Sequence, residues 1–166
     1  MSNKLDLLLH PVDQRAIRSA VEDAERRTSV EINVHVETTS RYPEARALAL
    51  FRRLKTMRAG RRIGVLMYLL VQERRCFLVV DEPVRALEGT RVWSDVTNRL
   101  TIDLLHGKIG QGVSDAITRF SHILAGHYPR HPDDTVEQWD EISTDAWDEI
   151  STEHIPPLPM ANAMRR

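Results

Sequence analysis

The apolar positions of the chain change their period along its first third, and each change predicts an element. After Pro11, apolar residues recur at helical spacing from Ile17 to Ala24, which predicts an amphipathic helix begun by a proline. From Val30 to Val36, apolar residues then alternate strictly with polar ones. A period of two indicates a strand with one buried and one polar face, at or near the edge of a sheet.

A second helix and two further strands follow in the same way. Apolar residues recur at helical spacing between Pro43 and Gly60. Residues 63–71 are apolar on both alternations, so both faces of this segment are covered, as in a central strand. The strand–helix–strand order predicts a right-handed crossover and a parallel pair. Residues 76–80 return antiparallel after a polar turn and end at Asp81 and Glu82-Pro83.

Two more helices are predicted after the sheet. Apolar residues at helical spacing lie between Val92 and Leu104 and again between Val113 and Leu124, and Gly107, Gly110 and Gly112 break the chain between them. We interpret these glycines as a turn, because a phosphate-binding loop would follow a strand and carry a Walker lysine. The predicted class is therefore α/β: a three-layer α/β/α sandwich with a small mixed β-sheet flanked by helices.

Charge divides the chain into two parts. Residues 1–130 hold 21 Lys and Arg against 15 Asp and Glu, whereas residues 131–154 hold nine acids and neither Lys nor Arg. We predict an α/β domain over residues 1–130 and an acidic tail over residues 131–166. Such a charge asymmetry is typical of an interaction segment.

The acidic tail contains the sequence WDEIST twice, at residues 139–144 and 147–152. On a helix, the apolar residues of both copies would share one face, so we hypothesise that residues 135–152 become helical when docked. The dock would be the basic side of this domain or the basic groove of a protein partner, and the alternative is a disordered tail that aids solubility. The proposed interaction residues are Trp139, Ile142, Trp147 and Ile150 in the tail and Arg52, Arg53, Arg58 and Arg62 in the basic cluster.

The two acids at the end of the third strand are the candidate metal ligands. Asp81 and Glu82 lie where ligands gather in open α/β sheets, and carboxylates suit Ca²⁺ or Mg²⁺. Adjacent residues of a strand point to opposite faces, however, so the two converge only if the chain turns between them. The alternative is a structural acid that caps the turn.

Other function classes are disfavoured by what the sequence contains. No apolar run approaches the roughly 20 residues that span a bilayer, and the N-terminus lacks the features of a secretory signal, so we expect a cytoplasmic protein. The seven histidines form no zinc-protease motif, and the single cysteine, Cys76, has no partner for an internal disulfide. The sequence disfavours nucleic-acid binding, because the basic cluster carries no aromatic residues for base stacking.

Short motifs in a fixed order give a family resemblance. They are Ala24-Glu25, Thr28-Ser29-Val30-Glu31-Ile32, Val34, Phe51, Gly64-Val65-Leu66-Met67-Tyr68, Val80-Asp81, Trp93, Gly107, Gly112, Ala116-Ile117 and His127-Tyr128-Pro129. By the order of these motifs, the chain resembles the TPM domain family, which is named after thylakoid-lumen, photosystem-repair and receptor-modulator proteins. The tail sequence from Asp140 to Ser143 resembles that of soluble bacterial members.

The resemblance implies an α/β/α sandwich, accessory roles, and, from plant members, acid-phosphatase activity with divalent-metal binding. This chain departs from the family pattern at Val30, Ile63 and Pro83, and of the acidic loop positions only Asp81 matches. The leading interpretation is therefore a cytoplasmic accessory or binding module without clear catalytic machinery, whose acidic tail is used for docking. The alternative is a metal-dependent acid phosphatase centred on Asp81.

Overall fold

The computed structural model describes residues 4–57, 63–134 and 142–144. Within them the chain forms ten helices and strands in the order that follows. They are α1 (Lys4–Leu8), α2 (Pro11–Arg27), β1 (Glu31–Glu37), α3 (Pro43–Met57), β2 (Gly64–Leu70), β3 (Arg75–Val80), α4 (Glu82–Glu88), α5 (Arg91–Leu105), α6 (Ile109–His127) and β4 (Ile142–Thr144).

The described strands form one mixed sheet in the order β3-β2-β1-β4. β1 and β2 run parallel with Glu31 opposite Gly64, and β3 returns antiparallel to β2 with Val80 opposite Val65. Both pairings follow the prediction, as does the central position of β2, every residue of which is buried. Apolar residues on both alternations of β2 are buried because helices cover both of its faces.

Helices cover the two faces of the sheet unequally. α3 lies on one face, where Leu50 and Phe51 pack with Leu66, Tyr68 and Phe77 in the smaller core. The other face carries the larger core. Its members come from α1, α2, α4, α5 and α6, from the alternate positions of β1 and β2, and from Val80 of β3 and Ile142 of β4. The layers are therefore helix, sheet and helix, which confirms the predicted sandwich class.

Three residues of the acidic tail depart from the predicted helix. Ile142–Thr144 form β4, which pairs parallel with β1 from Val34 to Val36. The helical prediction is wrong at these residues, because the open edge of β1 offers backbone hydrogen bonds that the helix-like spacing of the tail does not reveal. The rest of the predicted helix, residues 135–141 and 145–152, lies outside the described residues. The division into a domain and a tail at residue 130 stays a prediction, with these three tail residues in the sheet of the domain.

The three glycines between α5 and α6 also differ from the prediction. Only Gly107 lies in the break, with a positive φ of 76° that favours glycine. Gly110 and Gly112 lie inside α6 and are buried. A Cβ atom on Gly110 would lie 2.6 Å from Cβ of Asp13 in α2, so this glycine permits close packing of α6 against α2.

Candidate functional site

Asp81 closes the end of the sheet where β2 begins. Its Oδ2 atom accepts hydrogen bonds from the Gly64 N–H at 2.7 Å and from the Lys55 ammonium at 2.5 Å. Its backbone N–H donates to the Gly64 carbonyl at 3.0 Å. Asp81 and Gly64 therefore bind each other through both side chain and backbone, and Lys55 adds a charge-assisted contact from α3.

Glu82 has different surroundings although it is the next residue. It begins α4, its side chain is 84 % exposed, and its carboxylate lies 3.2 Å from Arg85 one turn later. Among the described residues, no group of three or more His, Cys, Asp and Glu side chains is arranged to hold a metal ion. Binding of Ca²⁺ or Mg²⁺ by Asp81 and Glu82 stays a prediction, and the contacts described here give the Asp81 carboxylate a structural role.

The predicted interaction residues fall on separate parts of the fold. Arg52 and Arg53 are exposed on α3, which packs against β2 and β3. Ile142 is buried in β4, which pairs with β1 at the opposite edge of the sheet. The remaining members lie outside the described residues: Arg58, Arg62, Trp139, Trp147 and Ile150. Residues 142–144 contact β1 and α1.

A buried polar network, which sequence reasoning missed, lies beneath α3 at the carboxyl end of β1. Its centre is Glu37, whose Oε1 atom accepts hydrogen bonds from Arg46 Nη2 at 2.6 Å and Nε at 3.0 Å. The Tyr68 hydroxyl from β2 donates to the second carboxylate oxygen of Glu37. His35 Nε2 lies 3.1 Å from Oε1. The Glu37 carboxylate thus joins three side chains, His35 of β1, Arg46 of α3 and Tyr68 of β2.

The hydrogen bonds of this network decide the charge state of Glu37. Burial opposes ionisation, but the hydrogen bonds from His35, Arg46 and Tyr68 outweigh it and lower the pKa of Glu37 to about 2. Burial and the hydrogen bond to Glu37 raise the pKa of Tyr68. Glu37 is therefore a carboxylate and Tyr68 a neutral donor at neutral pH, which is the pairing that satisfies both groups.

His35 links this network to the acidic tail. The Glu37 carboxylate can only accept hydrogen bonds, so the Nε2 atom of His35 must carry the proton that it donates to Glu37. Nδ1 is then the acceptor, and it lies 2.7 Å from the Ser143 hydroxyl of β4. The ring of His35 also stacks on that of Tyr68, with centroids 5.9 Å apart. Ser143 therefore completes the hydrogen bonding of a buried histidine.

The other two residues of β4 make equally specific contacts. Ile142 is 3 % exposed and packs in the larger core, on the face opposite His35. The Thr144 hydroxyl donates to the Val36 carbonyl at 2.8 Å. All three side chains of β4 are therefore used at the edge of β1, which defines an edge site made of Val34, His35 and Val36.

The sequence carried a signal for this network, although it was not recognised. His35 and Glu37 occupy the polar alternation of β1, and Tyr68 carries the only hydroxyl of the otherwise apolar strand β2. A polar face in the strand next to a fully buried strand requires partners from the covering helix, and Arg46 one turn into α3 supplies them. The separation in sequence hides Ser143, the remaining partner.

The protein is an α/β sandwich domain, because its small mixed sheet lies between two layers of helices. Its particular features are a buried carboxylate network and a tail strand on the edge of the sheet. The TPM domain model matches residues 3–123, and the chain belongs to this family. One similar solved structure is the NMR structure of the BA42 protein from the psychrophilic bacterium Bizionia argentinensis. It is 30 % identical, covers 87 % of this chain and 99 % of its own, and has a TM-score of 0.73.

Two further findings accompany the family assignment. None of the curated proteins matches the chain. Within the described residues, no helix combines the length and the apolar character needed to cross a bilayer.

Proposed function

We propose that this protein is a cytoplasmic accessory module of the TPM family that acts by binding rather than by catalysis, with its acidic tail as the docking element. The edge site on β1 would receive an extended segment of that tail. The recognition mode is strand addition, in which backbone hydrogen bonds provide affinity and alternate side chains provide specificity.

The observation that carries the proposal is the set of contacts made by β4. Ile142 enters the core, Ser143 satisfies His35, and Thr144 donates to the Val36 carbonyl. A tail that only aided solubility would have no reason to place three consecutive side chains in matched environments. These contacts support an acidic tail used for docking, with a site on the edge of the sheet.

The surroundings of Asp81 favour binding over phosphatase chemistry. Phosphoryl transfer needs an activated nucleophile together with groups that stabilise the phosphoryl oxygens. The Asp81 carboxylate instead bonds to Lys55 and to the Gly64 N–H, and Glu82 pairs with Arg85 at the surface. A metal-dependent phosphatase centred on Asp81 remains the second candidate, because the family resemblance implies that activity.

Amide hydrogen exchange on the full chain tests the docking. The Glu31 N–H donates to Ile63 and the Glu37 carbonyl accepts from Val71, so the odd-numbered residues of β1 bond toward β2. The amides of Val34 and Val36 therefore face β4, and those of Asn33 and His35 are internal controls. We expect Val36 to be protected in the wild-type chain. Exchange of Val36 at the rate of an open edge, with His35 protected, would refute docking of the tail.

Turnover of an aryl phosphate tests the enzymatic alternative. We expect no activity above background with Ca²⁺, with Mg²⁺ or with neither. Metal-stimulated hydrolysis that disappears in a folded Asp81→Asn variant would overturn the proposal in favour of the phosphatase.

A further inference from the structure

The segment that occupies the edge site is present twice in the sequence. Residues 139–144 and 147–152 are identical, WDEIST in both cases. The structure describes Ile142–Thr144, the last three residues of the first copy, on β1. The same three residue types recur in the same order at Ile150, Ser151 and Thr152.

Every described side-chain contact of β4 can be made by the second copy. The edge site needs a branched apolar side chain for the larger core, a hydroxyl for His35 Nδ1 and a hydroxyl for the Val36 carbonyl. We propose that residues 150–152 of the same chain exchange with Ile142–Thr144 at the edge site, so that two interchangeable strands serve one edge. This inference rests on the proposed docking of the tail.

The register of the sheet permits this exchange. Successive residues of a strand point to opposite faces, so a shift by an odd number would turn the isoleucine toward His35. A shift by one whole repeat of eight residues brings the same residue type to each position, so every side chain returns to its own face. Within the repeat, no other shift places both the isoleucine and the two hydroxyls correctly.

The length of the chain permits it as well. From Asp134, the last described residue before β4, the first copy reaches the site after eight residues and the second after 16. Closing a loop of twice the length lowers the equilibrium constant only about threefold. The first copy is therefore preferred, and the second occupies the site for about a quarter of the time.

The consequence is an edge that stays covered while one copy is withdrawn. An open strand edge pairs readily with other chains and promotes aggregation. With two copies, a partner can bind one WDEIST segment, including its tryptophan, while the other copy keeps β1 paired. The repeat thus separates the protective role of the tail from its role in binding.

The test uses four full-length chains: wild type, Ile142→Asp, Ile150→Asp and the double variant. A carboxylate in place of either isoleucine removes that copy, because it cannot enter the core unpaired. Protection of the Val36 amide is measured by NMR against that of His35. We expect protection to fall about fourfold in Ile142→Asp and less than twofold in Ile150→Asp, and to be lost in the double variant. Ile142→Val is the matched control and should retain protection.

The outcomes distinguish this inference from the proposed function. The first outcome is a Val36 amide that is protected in the wild type but loses as much protection in Ile142→Asp as in the double variant. This outcome would overturn the exchange and leave docking intact. An unprotected Val36 in the wild type would instead refute docking itself. Protection in Ile142→Asp that rises with protein concentration, together with a dimer by light scattering, would assign the site to a second chain and overturn exchange within one chain.

Discussion

The Nδ1 atom of His35 and the hydroxyl oxygen of Ser143 lie 2.7 Å apart, although 108 positions separate the two residues in the sequence. This contact joins a strand of the acidic tail to a network that also contains Glu37, Arg46 and Tyr68. Through His35, the presence of Ser143 at the edge site is linked to the hydrogen bonding of the buried Glu37 carboxylate.

The first prediction concerns the pH dependence of stability. Hydrogen bonds lower the pKa of Glu37 from 4.5 to about 2, so the charged form stabilises the folded state. This contribution is complete above the unfolded pKa and is lost as the pH falls from about 4.5 through about 2. We expect Glu37→Gln to lower the free energy of unfolding at pH 6 by about 2 kcal/mol and to flatten its fall below pH 5. Urea unfolding across pH 2–7 measures both effects.

The exposed Glu22 on α2 provides the control for that experiment. Glu22→Gln should leave the pH profile of the wild type unchanged. A parallel pH profile for wild type and Glu37→Gln would show that the network does not hold Glu37 in its charged form.

The principal strands and longer helices were predictable because their hydrophobic periods are long and regular. β1, β2 and β3 and the four longer helices follow the predicted order. The short helices α1 and α4 were missed, since five and seven residues give too little periodicity to recognise. β4 was missed for a different reason: three residues become a strand only where an open edge is available, and that edge belongs to β1.

The candidate sites were predictable only where neighbours in sequence are also neighbours in space. Asp81 lies at the strand end where the sequence placed it, but its partner Gly64 comes from the strand beside it. The polar alternation of β1 predicted a polar face, yet His35 and Glu37 are buried. Their burial depends on Arg46 and Ser143, which come from other elements and which no local pattern connects to β1.

The second prediction concerns the hydroxyl of Tyr68. Tyr68→Phe keeps the buried ring and removes a donor to Glu37, so the carboxylate keeps its burial with one hydrogen bond fewer. We expect a loss of about 1–3 kcal/mol in the free energy of unfolding at neutral pH. Tyr42→Phe, at an exposed tyrosine, is the matched control and should change stability by less than about 0.5 kcal/mol. Equal free energies of unfolding for the two variants would show that the hydrogen bond from Tyr68 to Glu37 does not stabilise the fold.

The third prediction tests the central strand. Val65 is 1 % exposed and pairs with Ile32 and Val80. Val65→Asp would bury an unpaired carboxylate, and we expect a loss of about 4 kcal/mol or more, sufficient to unfold many domains. Val92→Asp on the exposed surface of α5 should be nearly neutral. Thermal unfolding followed by circular dichroism compares the two, and a melting temperature for Val65→Asp close to the wild-type value would exclude the sheet assignment.

The fourth prediction separates two glycines of α6. A Cβ atom on Gly110 would lie 2.6 Å from Asp13 Cβ, so Gly110→Ala must push α6 away from α2. We expect a loss of about 1–3 kcal/mol from this overpacking. Gly126, in the same helix, has no atom within 4 Å of such a Cβ. Gly126→Ala should therefore stabilise the protein by about 0.5–1 kcal/mol. Urea unfolding measures the free energy of unfolding of both variants, which should change in opposite directions. Two variants with the same sign would contradict the close packing at Gly110.

The last prediction distinguishes a structural role for Asp81 from a metal-binding one. Asp81→Asn keeps an oxygen that can accept from the Gly64 N–H and loses only the charge opposite Lys55, a pair that is partly exposed to solvent. Such pairs contribute about 1 kcal/mol or less. Asp81→Ala also loses the acceptor, so its cost should be larger by about 1–2 kcal/mol. Because Lys55 and the Gly64 N–H already bind the Asp81 carboxylate, 5 mM Ca²⁺, a concentration of about the order that weak protein sites require, should leave all three melting temperatures unchanged. A rise in the wild-type melting temperature with Ca²⁺ that Asp81→Asn abolishes would instead support the metal-dependent alternative.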